Sequence, residues 1–239
     1  MKTTFKQYLL EAEEKMPPAE DVHDLFASIV DGHFTKDGSK LKVTGDFYCL
    51  NNQLESLEGC PQTVGGDFNC LGNQLKSLEG CPQKVDGYFS CWGNQLESLE
   101  GCPQTVGGSF ACHENQLKSL EGCPQKVDGD FKCGVNQLES LEGCPQTVGG
   151  DFICYNNKKL TSLARINFYV HEITGIANFA GCPIKSNILG LLKIRGLKKV
   201  KFTDKQLEEI MNKYLPMGDS TDCIDDLLDA GYGKEYCKW

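Results

Sequence analysis

Fourteen cysteines in a chain of 239 residues could bind metal, form disulfides or act as nucleophiles. Eleven of them fall in two interleaved columns. One is Cys49, Cys70, Cys91, Cys112, Cys133 and Cys154; the other is Cys60, Cys81, Cys102, Cys123 and Cys144. Each column steps by 21 residues. A metal centre gathers its ligands at a point, commonly as paired C-x₂-C. A ladder with one cysteine per period instead marks a place where a small apolar side chain packs. Reduced core thiols are therefore expected ahead of disulfides or a metal, and no cofactor is implied. His113 and Glu114 follow Cys112, but alternation along an extended chain turns Cys112 and His113 to opposite sides, so they do not form a nucleophile–base pair. Asp46, Asp67, Asp130 and Asp151 also recur in phase and suggest paired carboxylates. No pocket-forming loop interrupts the period around them. The expectation is a protein without catalytic activity.

Composition narrows the partners. Charged residues make up 24% and apolar residues 40%, as in ordinary folded domains. The net charge of −9 argues against a nucleic-acid backbone as the main partner. No apolar run approaches the ~20 residues of a membrane span. The opening MKTTFKQYLLEAEEK lacks the apolar stretch of a secretory signal. Together with the free thiols this suggests a reducing, cytoplasmic location. Lys193, Arg195, Lys198, Lys199 and Lys201 oppose the acidic trend and read as the solvated face of a cap helix.

The element that positions these columns is a repeat. N-Q-L-x-S-L-E-G-C-P-Q starts at Asn52, Asn73, Asn94, Asn115 and Asn136, with a degenerate copy at Asn157. A fixed period of this length marks a solenoid. In each copy F-x-C alternates, so Phe and Cys point inward from a short strand, and strands of successive turns stack in parallel ~4.8 Å apart. Phe47, Phe68, Phe89, Phe110, Phe131 and Phe152 then form an aromatic spine, each buried ring worth roughly 1.5–3 kcal/mol. The asparagines can bond backbone groups of neighbouring turns. Gly-Cys-Pro turns the chain back, and about ten remaining residues make an outer arc of extended or 3₁₀ pieces. Copies alternate between E-S-L…Q-T-V-G-G and K-S-L…Q-K-V-D-G, so the duplicated unit is 42 residues. The column Glu55, Lys76, Glu97, Lys118, Glu139 thereby sets opposite charges side by side.

The unit F-x-C-x-x-N-x-L-x-x-L resembles the leucine-rich repeat, with Phe and Cys in the first two leucine places. N-Q-L-x-S-L-x-x-C-P is similar to the short repeats of bacterial effector proteins. The resemblance covers about residues 41 to 183. It implies a leucine-rich repeat solenoid with a curved parallel sheet on its concave face, an irregular convex arc and helical caps. The expected divisions are a helical N-terminal cap over 1–40, the solenoid over 41–183 and a helical C-terminal cap over 184–239. The N-terminal cap reads as helices over 4–15 and 20–30. After Leu163 the register breaks into a shortened last turn, with Cys182 in the Gly-Cys-Pro place. Helices are expected from Ile188, over TDKQLEEIMNKYL with a cap at Thr203 or Asp204, and over STDCIDDLLDAG ended by Gly231. Cys223 and Cys237 read as cap-core residues.

GCPIKSNILGLLKIRGLKKV, NKYLP and DCIDDLLDAG look like the C-terminal cap of repeat proteins from large tailed phages. MKTTFKQYLLEA is similar to the capsid-targeting leader of phage internal head proteins, apart from the inserted Thr4. In that family a protease cuts after Glu, which makes Glu11 the candidate processing site here. Effectors with similar repeats can carry a ubiquitin-ligase domain, but the residues after the repeats are too few for one.

Each turn is nearly constant except beside Phe and Cys. The outward positions there include Tyr48, Leu50, Leu71, Tyr88, Trp92, His113, Lys132, Ile153 and Tyr155. Rows of exposed aromatic and apolar residues exceed what solvation requires and are typical of interface hot spots. These nine are the candidate partner-binding residues of a concave face. The expected partner is a protein, taken to be a host protein met in the host cytoplasm. A virion component is the alternative. The sequence leaves oligomeric state open.

Overall fold

The computed structural model describes residues 34–37 and 40–239. The expected helices over 4–15 and 20–30, and Glu11, lie outside the described residues. The described chain is a parallel β-solenoid whose coils contribute to two eight-stranded sheets.

The Phe sheet stacks Phe47–Tyr48, Phe68–Asn69, Phe89–Ser90, Phe110–Ala111, Phe131–Lys132, Phe152–Ile153, Ile176–Asn178 and Lys199–Lys201, all in parallel. The Val sheet opens with the antiparallel pair Phe34–Asp37 and Lys40–Val43. It continues in parallel through Thr63–Val64, Lys84–Val85, Thr105–Val106, Lys126–Val127, Thr147–Val148 and Glu172–Ile173. The outer arc thus carries a second hydrogen-bonded ladder. A β-branched valine at a fixed place in each turn supplies its inward column.

One coil shows how the core is filled. Val106, Phe110, Cys112, Leu117, Leu120 and Cys123 are all buried. Because the same six places recur, each coil completes its core only against a like neighbour. The rings stack at centroid distances of 5.0 to 6.0 Å from Phe47 through Phe152 to Phe179 and Phe202. All fourteen thiols are free, and the eleven periodic ones are buried. Several donate to a carbonyl of the next coil, as Cys70 does to Ser90 at 3.3 Å and Cys123 to Gly143 at 3.0 Å. Burial pushes Cys133 up to about 11 and Cys102 and Cys144 up to about 12. Such thiols carry almost no thiolate at neutral pH and are poor nucleophiles.

The asparagine column ties coil to coil. Asn115 Oδ1 accepts from the Leu96 N–H of the preceding coil at 3.0 Å. Its Nδ2 donates to the Cys91 carbonyl of that coil and to the Cys112 carbonyl of its own. Asn73, Asn94, Asn136 and Asn157 repeat this pattern. The Gly-Cys-Pro turn needs its glycine twice over. Gly122 has φ 90, and a Cβ there would come within 2.8 Å of the Glu100 backbone nitrogen. The charged column behaves differently from expectation. Among the described residues its only ion pair is Lys159–Glu139 at 3.6 Å, because these exposed side chains gain little by giving up their freedom.

Past Leu163 the coils lengthen rather than shorten. The register steps by 25 residues from Phe152 to Ala177 and by 23 from Ala177 to Val200. The extra chain is taken up around Lys158–Lys159 and in a helical turn, Ile166–Tyr169. Ala177 takes the phenylalanine place, and Phe179, in register with Cys154, extends the ring spine from the thiol column. Cys182 stands in the asparagine place, not in the Gly-Cys-Pro place. Its Sγ donates to Cys154 O at 3.1 Å, the bond that Asn157 makes to Cys133 one coil earlier.

Ile188 is followed by a 3₁₀ turn, Leu189–Lys193, rather than a longer helix. The basic cluster therefore does not lie on a cap helix. Lys199 and Lys201 sit on the edge strand of the Phe sheet, where lysines discourage further strand pairing. The helix Lys205–Tyr214 covers that edge. Asp204 caps it by accepting from Leu207 N at 3.1 Å. From it Asn212 accepts from Val200 N at 2.8 Å and donates to Val200 O at 3.0 Å, while Glu208 accepts from Phe202 N at 2.9 Å. Two side chains thus supply the partners that another coil would. Thr221–Asp229 follows, burying Cys223 and Leu227, and Gly231 ends it with φ 87.

Candidate recognition face on the Phe sheet

Each Phe-sheet strand points three residues away from the core: the one before Phe, the one between Phe and Cys, and the one after Cys. The positions predicted from sequence all fall on this face. Tyr48 is 40% exposed, and Leu50, Leu71, Tyr88, Trp92, His113, Lys132, Ile153 and Tyr155 are half-buried. None belongs to the buried core cluster.

The side chains after Cys form a continuous row. Trp92 and His113 stack with centroids 4.7 Å apart and planes 22° apart. Gly134 is buried beneath Tyr155, whose ring would lie 2.6 Å from any Cβ added there. Glycine at 134 is what lets that ring lie back across the preceding coil. Partial burial lowers the His113 imidazole from its ordinary value, with Glu114 opposing and Lys132 reinforcing the shift. His113 is therefore neutral at pH 7. Cys112 is inward and buried, which confirms that the two neighbours face apart.

The residues before Phe have a role the sequence reading missed. Asp46, Asp67, Asp130 and Asp151 each accept, through Oδ1, the N–H of the matching residue one coil on, at 2.7 to 3.0 Å. Ser109 does the same through its hydroxyl at 2.9 Å. The signal was present: Asp and Ser, both short acceptors, share this column. Tyr88 has no such acceptor to offer. Among the described residues no side chain accepts from the Ser109 N–H.

Further departures from local rules gather on the same few coils. Ser90 and Ala111 occupy outward places yet are 0% exposed, covered by their larger neighbours. Ser90 Oγ, Trp92 Nε1 and His113 Nδ1 are buried without a hydrogen-bond partner, and they are the only such side-chain atoms among the described residues. One residue further along, the chain is left-handed in each coil from Asn51 to Gly181. Gly72 and Gly93 suit this place, whereas Glu114 and Val135 adopt it at φ 55 and 53. A β-branched residue there is strained.

Variation between coils is confined as tightly. Residues 63–83 and 105–125 are identical at 17 of 21 positions and differ at 67/109, 69/111, 71/113 and 72/114. Residues 84–104 and 126–146 are also identical at 17 of 21 and differ at 88/130, 90/132, 92/134 and 93/135. These are the same four places of the coil: the three outward residues of the Phe strand and the left-handed residue after them.

No group of His, Cys, Asp or Glu suited to a metal ion occurs among the described residues. No helix among them is long and apolar enough to cross a membrane. No family model, curated protein or solved structure matches the chain.

Proposed function

We propose that this protein is a non-catalytic recognition scaffold that binds another protein through the outward face of its Phe sheet. The observation that carries this reading is that coils 42 residues apart, 63–83 with 105–125 and 84–104 with 126–146, differ only at the same four places on one face. The same face holds the unpartnered polar atoms and the strained backbone, which is where a stable scaffold departs from its own rules for the sake of function. The likeness of the C-terminal segment to phage repeat proteins extends the proposal to a phage-encoded effector. Its partner is then a host protein of a defence or takeover pathway in the host cytoplasm.

A coil exchange tests it. Tyr88→Asp, Ser90→Lys, Trp92→Gly and Gly93→Val together convert residues 84–104 into the sequence of residues 126–146, a coil this fold already accommodates. In affinity capture from host lysate, specific partners should disappear with the exchange while the chain still unfolds cooperatively, at a cost of about 1 kcal/mol for the valine at a left-handed place. Capture of an unchanged partner set would overturn the reading. The leader-like N-terminus favours a second reading, a virion component. Mass spectrometry of purified particles finding a chain that starts at Ala12 would support packaging; its absence from particles would favour the effector.

A further inference from the structure

Resting on that reading, we infer that the recognition face is centred on the Trp92–His113 stack and takes a cationic segment of the partner protein, with an apolar or aromatic side chain seated against the two rings. Three independent features meet at this centre. Trp92 and His113 present a stacked aromatic surface on neighbouring coils, and tryptophan is among the residues that most often dominate an interface. Beside it lie Ser90 Oγ, Trp92 Nε1 and His113 Nδ1, three buried polar atoms without partners. Orphaned donors and acceptors in a native structure call for an explanation, and an incoming chain would supply the missing partners. Flanking the centre, Asp46 and Asp67 on one side and Asp130 and Asp151 on the other line the face.

The charge around this centre is mostly uncompensated. Each of these aspartates spends Oδ1 on the next coil's backbone. Asp130 pairs with Lys132 at 3.3 Å, and Asp46 Oδ2 accepts from the Tyr48 hydroxyl. The second oxygens of Asp67 and Asp151 have no partner among the described residues. Glu114 adds an exposed carboxylate beside His113, which is itself neutral. Around the stack, four aspartates and Glu114 stand against Lys132; Lys199 and Lys201 share the outward columns only at the far edge, two coils past Asp151, so basic groups are favoured at the centre and acidic ones repelled. A second copy of this chain, bringing the same acidic face, is disfavoured for that reason.

A library of random 15-residue peptides displayed on yeast, sorted against the purified full chain, provides the test. Enriched sequences should be rich in Lys or Arg around an aromatic or large aliphatic residue. Their affinity should fall at least tenfold on raising salt from 50 to 500 mM, a range over which exposed charges are screened. It should fall similarly with Asp67→Asn plus Asp130→Asn, which keep the Oδ1 acceptors and remove the charge, and with Trp92→Ala. Neutral or acidic enriched ligands that still depend on Trp92 would overturn the cationic partner and leave the recognition face standing. Ligands indifferent to Trp92 and to the coil exchange would overturn both. A sort that enriches nothing above a non-binding control would overturn the cationic segment as occupant.

Discussion

Along the Val sheet the outward residue reads Lys42, Thr63, Lys84, Thr105, Lys126, Thr147; along the Phe sheet, between Phe and Cys, it reads Tyr48, Asn69, Ser90, Ala111, Lys132, Ile153. Both columns belong to short strands of the same coils, paired in parallel and in register along the repeats, with a buried residue beside each. One column keeps the alternation of a 42-residue duplication and the other never repeats, although Ser90 and Ala111 in the second are buried where Lys84 and Thr105 in the first are exposed. Packing constrains Ser90 and Ala111, but the exposed and half-buried places of Tyr48, Asn69, Lys132 and Ile153 also differ from one another, where any residue that tolerates a strand and water suffices. Drift would have marked both sheets. On the proposed reading, what separates them is use: one face is free to stay as copied, and the other has been altered at each step.

That contrast can be broken first from the inside, where the two sheets should not differ. Phe110→Ala removes one ring from the spine and should cost about 3–5 kcal/mol in urea unfolding. A small effect would mean that the coils do not depend on the shared core. Asn115→Ala leaves the Leu96 N–H without its acceptor and removes one of the two asparagine bonds at each of the Cys91 and Cys112 carbonyls, and should cost about 1–3 kcal/mol. If it were neutral, the asparagine column would be decoration rather than a tie between coils.

The next change sharpens the contrast, because stability and binding should move in opposite directions. Val135→Gly relieves a β-branched residue at φ 53 and should stabilise by about 1 kcal/mol. The melting temperature then rises by ~2–4 °C. Partner capture should weaken, since 135 is one of the four variable places. Stabilisation with undiminished binding would detach that position from the face. On the Val sheet, by contrast, Thr105→Lys with Lys126→Thr should change stability by less than about 0.5 kcal/mol and leave capture intact. Loss of the partner would place binding on both sheets and end the comparison.

The smallest effect is at the capped edge. Burial pushes the Glu208 carboxyl upward, but the Phe202 N–H and Lys205 outweigh it and hold the group below its usual value. A lowered carboxylate contributes stability above its unfolded pKa and loses it as pH falls through the folded one. Hydrogen exchange at Phe202 should therefore quicken on acidification below the ordinary carboxylate range. In Glu208→Gln that pH dependence should vanish. A persistent pH dependence would assign it to another group.

Much of this was legible because each coil sees the same surroundings. Strict recurrence of Phe, Cys, Asn and Leu at 21 residues leaves one consistent arrangement: rings and thiols inside, asparagines bridging, and the residues flanking Phe and Cys outside. The thiols followed from the same logic, since a column cannot converge on an ion. The reading lost its hold where the period ends. Gly181-Cys182-Pro183 looks like the turn motif, yet Cys182 takes the asparagine's place, because coil length and not local likeness sets the register. The same reading put the basic cluster on a helix, whereas its lysines mark a strand edge.

By itself the sequence determined the period, the inward columns and the places allowed to differ, because those follow from alternation and from copies that must pack on one another. Only the tertiary structure decided how the solenoid closes and what its outer face is made of. The Val ladder, the aspartates bonded across coils, Ser90 and Ala111 buried under their neighbours, and Asn212 and Glu208 standing in for a missing coil all depend on residues brought together from different turns. Hydrogen bonds and burial of that kind are fixed by the distance between coils in space, which no single stretch of the chain encodes.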